Sequence, residues 1–371
     1  MANSRSGSGS AIPFLDLRWT NALVHKEVAT AWQKIMTHGK FLDGPEVDLF
    51  EQEFATYCGV AGCVGVANGT DALELILRSL DIGPGDEVIV PTNTFVATPE
   101  AVCAVGARPH FVDVRRDTLL MDEHTVREAI NHATAAIILV HLFGQMVDYE
   151  EIIKLASKRG VLVIEDAAQA HGSTFSGRRA GAVGKAAAFS FYPGKNLGAM
   201  SNAGAVVSND FELLSRIRSL ANHGRDRKNR SHHILIGRNS RLDSLQAAVL
   251  SAKLRHLEDN NSRRISVMRT YRANLPKECV PLSVNKNASP VYHLAVVRVQ
   301  DRLRASDALT SEGIGWGIHY PVPCHLQPAF STYSRELPVA EEAAMHILSL
   351  PMSPNLTSAE IDRVCASLDI A

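Results

Sequence analysis

The sequence predicts an α/β fold in which helices cover both faces of a largely parallel sheet. Three observations carry this expectation. Short β-prone runs alternate with helix-compatible segments through the first half of the chain. The runs are continuously apolar rather than alternating in and out, as strands buried on both faces read. Near residue 243 the rhythm changes to a long helix-compatible stretch, which divides off a second, smaller unit.

Taken in order, the first ten residues, MANSRSGSGS, are small and polar and read as a tag or flexible leader. Strands are expected over 63–66, 87–90, 110–114, 136–140 and 161–164. Helices are expected between them over 71–80, 97–105, 123–132 and 149–159. A further strand, "AAAFSFY", ends at the turn Pro193-Gly194. From Asp243 to about Asn274 few helix breakers occur, so the chain can leave one domain and enter another along a helix. After Pro276 a β-prone run over 291–297 leads to more helix and the segment "GIHYPVP". The expected domains are 11–252 and 253–371.

Composition narrows the function classes. The 371 residues are 46% hydrophobic and 21% charged with a formal net charge of -1, a balance that calls for neither nucleic acid nor membrane. The six cysteines, at 58, 63, 103, 279, 324 and 365, form no CxxC pair and no Cys/His metal spacing, so no metal is expected. A reducing cytoplasm is the default compartment. Apolar runs are strand-sized, below the roughly 18 residues that suggest a membrane span.

Four motifs carry chemistry. Asn68-Gly69-Thr70-Asp71 follows a strand and opens a helix, where free amides and a hydroxyl suit a phosphate, although helix capping alone also explains it. Phe95, in "PTNTFVAT", stands where the strands of an open sheet present their C-terminal ends; it can stack on a planar ring or pack in the core. Asp166 follows four apolar residues and Glu165, so a carboxylate at the end of this run needs a designated partner. Lys195 follows a later strand and belongs at the same sheet edge, where a desolvated amine is equipped to condense with a carbonyl. A Walker A loop is excluded because Phe189 stands where it needs glycine, and no GxGxxG follows the early strands. Pyridoxal 5'-phosphate (PLP) needs all four parts: donors for its phosphate, a slot for its ring, an acid for its pyridine nitrogen and an amine for its aldehyde.

The strings "NGTDAL", "PTNTFVAT", "PHFVDV", "VHLFGQ", "VIEDAAQAHG", "SFYPGKNLGA", "NHGR", "GRNSRLD" and "GIHYPVPCHLQPAF" resemble the DegT/DnrJ/EryC1/StrS sugar aminotransferase family. That family lies within the fold type I, aspartate aminotransferase-like PLP enzymes, and the resemblance runs from about Ile12 to the C-terminus. It implies a three-layer α/β/α large domain with a mostly parallel, mixed seven-stranded sheet and a smaller α+β C-terminal domain. Lys195 would hold the cofactor covalently and shuttle protons, Asp166 would pair with the pyridine nitrogen, and Gln169 would face the ring hydroxyl. Phe95 and Ala168 would bracket the ring. Gly69, Thr70 and Ser190 would bind the phosphate, with Asn239 reaching in from the partner subunit of a homodimer with shared active sites. His319, Tyr320 and His325 would line the nucleotide-sugar side.

The basic segment over 223–241, which includes Arg241, is a solvated loop or, as the resemblance favours, a loop crossing the dimer interface to meet phosphates. No aromatics are interleaved as a nucleic-acid site would need. Lys195 itself favours aminotransferases over the related dehydratases, which resemble this pattern with histidine there. One departure stands out: Ser201-Asn202-Ala203-Gly204 replaces a "GDGG"-like string.

The implied activity is transfer of an amine from L-glutamate, through the PLP and pyridoxamine forms of the cofactor, to a nucleotide-linked keto-deoxysugar. A dTDP-sugar is expected, and "DAAQAHG" leans toward a 3-keto over a 4-keto substrate. A keto-cyclitol (inosose) acceptor and a non-catalytic PLP-binding regulator are the alternatives.

Overall fold

The computed structural model describes residues 10–226, 228–229 and 231–369. The expected leader lies outside them except for Ser10, as do Arg227 and Arg230 of the basic segment. Helices α1 (Arg18–His38) and α2 (Pro45–Cys58) precede β1 (Gly62–Val66), α3 (Gly69–Ser79), β2 (Glu87–Pro91), α4 (Ala97–Ala104), β3 (Arg108–Val112) and α5 (Glu123–Ala129). There follow β4 (Thr134–Val140), α6 (Glu150–Arg159), β5 (Leu162–Asp166), the two-residue strands β6 (Thr174–Phe175) and β7 (Arg178–Arg179), β8 (Ala186–Ser190), β9 (Gly204–Ser208) and α7 (Phe211–Leu220). The remainder comprises α8 (Ser244–Leu254), α9 (Leu257–Asn274), β10 (Val280–Pro281), β11 (Ala288–Ser289), β12 (Ala295–Arg298), α10 (Arg302–Ser311), α11 (Pro338–His346), β13 (Ile347–Leu350) and α12 (Ser358–Leu368).

Seven strands hydrogen-bond in the order β1-β9-β8-β5-β4-β2-β3. All neighbours are parallel except β9, which runs antiparallel to both β1 and β8, so the sheet is mostly parallel and mixed. Ile137, Ile138 and Leu139 in its centre are fully buried, which explains why this strand reads as an unbroken apolar run. Because β1, β2, β5 and β8 point the same way, Asn68, Thr92, Asp166 and Ser190 come out at one edge. A second sheet, β10-β12-β13, is antiparallel and forms a separate core with Tyr271, Leu309, Val364 and also Ile12, which pairs with Ile314.

The long helix expected over 243–274 is two helices that break at Arg255-His256. Glu258 and Asp259 stand in the first turn of α9, where carboxylates favour a new helix start. The strand expected over 291–297 is confined to Ala295–Arg298. Upstream, the Val291 amide donates to Gly144 O at 2.8 Å and Tyr292 takes φ 45°, which turns the chain back toward the edge of the large sheet.

Candidate active site

A cavity of about 820 Å³ opens at that edge. Its wall includes Gly69, Thr70, Phe95, Asp166, Ala168, Gln169, Ser190, Lys195, His319 and Tyr320, so the structure gathers ten of the expected site residues.

The end of the cavity where a phosphate is expected rests on two close approaches. Asn68 Oδ1 caps α3 by accepting from the Asp71 amide at 2.8 Å, so capping and phosphate binding are compatible at this turn. A β-carbon at Gly69 would lie 2.7 Å from Ser190 Cβ, and one at Gly204 would lie 2.4 Å from Asn68 O. With neither β-carbon present, the first amides of α3 and the Ser190 side chain stand at the cavity wall around a gap no side chain fills. In the departing segment, Ser201 and Asn202 are exposed, whereas Gly204 keeps the tight contact.

Two adjacent carboxylates end β5 and diverge, since successive strand residues face opposite sides. Glu165 is fully buried, accepting from the Gly181, Val183 and Gly184 amides at 2.8 Å each and pairing with His141 Nε2 at 3.0 Å. Asp166 turns to the cavity. Its Oδ2 accepts from Thr98 Oγ1 at 2.7 Å and its Oδ1 from the Ala168 amide at 3.2 Å. Gln169 is held at both ends: its Oε1 accepts from the Phe143 amide at 2.8 Å and its Nε2 donates to Tyr320 OH at 3.2 Å.

Phe95 is 53% exposed, so its ring is not a core ring; it lies open at the cavity wall, 5.8 Å from the Tyr320 ring. Lys195 makes no ion pair among the described residues, and burial pushes its ammonium down to about 8 against the opposing pull of Asp166. His319 is held by Ser349 Oγ at 2.9 Å and stacks on Phe14 at 5.6 Å. Burial, then the nearby lysine charge, lowers His319 to about 4, so it stands neutral at physiological pH.

Three expected residues lie elsewhere. His325 is not at the cavity wall: it is fully buried, with Nδ1 2.6 Å from Thr92 Oγ1 and Nε2 3.1 Å from Glu341. Asn239 is exposed away from this chain's cavity, and Arg241 pairs with Asp43 at 3.4 Å. Sequence reasoning missed Thr94, Thr98, His293 and Asn202. Thr94 and Thr98 could have been noticed, because they fall one helical turn apart within "TFVAT".

The donor set therefore fits PLP: a cradle for the phosphate, an open aromatic for the ring, a fixed carboxylate and a desolvated amine.

The comparisons with known proteins agree. A model of the DegT/DnrJ/EryC1/StrS aminotransferase family matches residues 23–369. A dTDP-3-amino-3,6-dideoxy-alpha-D-galactopyranose transaminase of Aneurinibacillus thermoaerophilus is 44% identical, covering 96% of this chain and 99% of its own. The structure of S. venezuelae DesV in complex with ketimine intermediate superposes with a TM-score of 0.94 at 42% identity, over 97% of this chain and 98% of DesV. That of NtdA from Bacillus subtilis with bound cofactor PMP reaches 0.90 at 30% identity, over 99% and 86%.

Proposed function

The chain belongs to the DegT/DnrJ/EryC1/StrS aminotransferase family and is a PLP-dependent sugar aminotransferase, and from that premise we propose that it aminates a dTDP-linked 3-keto-deoxysugar with L-glutamate as donor. The observation that carries the chemistry is the desolvated, unpaired Lys195 in one cavity with the fixed carboxylate of Asp166. The kinship to the dTDP-3-amino sugar transaminase supports the choice of nucleotide and of carbon.

Bound PLP supplies an electron sink at the substrate Cα and carries the amine between donor and acceptor. The residues around it divide the remaining work. Lys195 is the covalent anchor and, with its ammonium lowered toward neutrality, moves the proton at the substrate Cα. Asp166 would accept from the protonated ring nitrogen, and Gln169 would meet the ring oxygen. Phe95 and Ala168 would bracket the ring and exclude water from its faces. Gly69, Thr70 and Ser190 would take the phosphate. His319 and Tyr320, the latter beside Phe95 and Gln169, would meet the sugar.

A nucleotide sugar is a polyanion and glutamate carries two carboxylates, yet no arginine lines this cavity among the described residues. A second copy of the chain would supply the cations from its basic segment, Arg241 included, and would bring Asn239 to the phosphate. Leu23, Met36, Phe41 and Leu49, on and beside α1 and α2, are exposed apolar side chains that such a homodimer would cover. His325, bonded to Thr92 and Glu341 outside the cavity wall, is given no contact with substrate in this reading.

A screen of nucleotide keto sugars against glutamate-loaded enzyme tests the reading. Product mass and NMR should show amination at C3 of a dTDP-sugar, with 4-keto sugars and free inososes turned over far more slowly. Preferred amination at C4, or of a nucleotide-free ketone, would overturn the assignment.

A further inference from the structure

Asp166 does not stand alone at the end of β5. Thr98 is fully buried in the first turn of α4, and its hydroxyl lies 2.7 Å from Asp166 Oδ2 and 2.9 Å from Thr94 Oγ1. The direction of these bonds follows from proton counting. A carboxylate accepts only, and a hydroxyl has one proton to give. Thr98 spends its proton on Asp166, so at the second contact Thr94 must donate to Thr98. The result is a one-way chain, Thr94 to Thr98 to Asp166, with Thr98 fully buried and Thr94 buried at the cavity wall, where such bonds strengthen one another.

We infer that Thr98 is a positioning residue for Asp166, holding the carboxylate in the rotation that presents it to the cofactor's ring nitrogen. The second constraint is the Ala168 amide on Oδ1 at 3.2 Å. With one oxygen held from α4 and the other from the loop after β5, the carboxylate cannot turn about its Cβ–Cγ bond without breaking a bond. The branched Thr98 side chain is itself stiff at χ1, and its amide donates to Phe95 O at 3.1 Å. The same helical turn thus carries the aromatic that covers the ring face and the hydroxyl that aims the acid. Nothing in the packing alone asks for a hydroxyl here, since valine has the same shape; the oxygen is explained by Asp166.

The inference rests on the reading that Asp166 partners the ring nitrogen, and one experiment separates the two. Wild type, Asp166→Asn, Thr98→Val and Thr98→Ser are each reconstituted with PLP labelled with ¹⁵N in the ring, and the ¹⁵N resonance is recorded across pH. Wild type and Thr98→Ser should keep the protonated position. Asp166→Asn should move to the unprotonated position and Thr98→Val part of the way, with kcat reduced roughly tenfold and the KM for the sugar changed less than twofold. A protonated wild type, a shifted Asp166→Asn and an unshifted Thr98→Val would overturn the role of Thr98 alone. An unprotonated wild type, or an unshifted Asp166→Asn, would overturn both. If Thr98→Val does not fold, Thr98→Cys keeps the volume with a weaker donor, and an unshifted resonance there is equally decisive.

Discussion

Lys195 is a strong ligand for a carbonyl because its ammonium is costly to bury, and that cost should be measurable without cofactor. In the folded chain the group sits near 8 rather than at its ordinary 10.5, so between those values the unfolded state binds more protons. Apoprotein stability attributable to Lys195 therefore rises as pH climbs from 8 to about 10.5, and the full penalty is present below 8. Lys195→Met removes it. The variant apoprotein should gain about 1–2 kcal/mol over wild type at pH 7, after discounting for water in the cavity, and the gap should narrow by pH 10. Urea unfolding at the two pH values decides it, and a pH-independent gap would refute the assignment. Asp166 was legible in the sequence because a carboxylate at the end of an apolar strand demands a reason, and Lys195 because it follows a later strand and its Pro193-Gly194 turn at the same sheet edge. Thr98 left only its spacing from Thr94 as a signal, since a threonine at a helix start also has a local explanation. His325 was misplaced because its partners, Thr92 and Glu341, are brought to it only by folding.

At the scale of elements, the site depends on how closely the start of α3 approaches the ends of β8 and β9. The alternation of apolar runs and helices announced the parallel strands. It did not announce β9, whose reversed direction depends on the connection that returns the chain after Lys195. Helix α1 was also missed, because over 21 residues it buries only Val24, Val28 and Ile35 and leaves no continuous apolar stripe. The approach itself makes a prediction about the departing segment. Gly204→Ala would put a methyl carbon 2.4 Å from the Asn68 carbonyl oxygen, a backbone atom that cannot step aside. It should destabilise the apoprotein by about 1–3 kcal/mol and weaken PLP binding, whereas Ser201→Gly, on the exposed part of the same turn, should do neither. Denaturant melts and cofactor titrations of the two variants give the comparison; equal behaviour would mean that the turn, not the contact, sets the cradle.

The whole molecule poses the question that a single chain leaves open: what balances the anionic substrates. The cavity has its amine, acid and aromatic from one chain, while Asn239 and Arg241 lie outside it on the same chain. If they serve the neighbouring subunit, two defective chains can repair each other. Lys195→Ala retains Asn239 and Arg241, and a chain carrying both Asn239→Ala and Arg241→Ala retains Lys195. In a mixed dimer one active site then has every residue intact and the other lacks all three. Random reassociation of equal amounts makes half the dimers mixed, so activity should recover to about a quarter of wild type from two nearly inactive preparations. Were the residues to act within their own chain, every site in the mixture would remain defective and mixing would recover nothing. Sedimentation of the mixture, run beside the assay, establishes that the chains have exchanged, so that a failure to recover counts against sharing and not against reassociation.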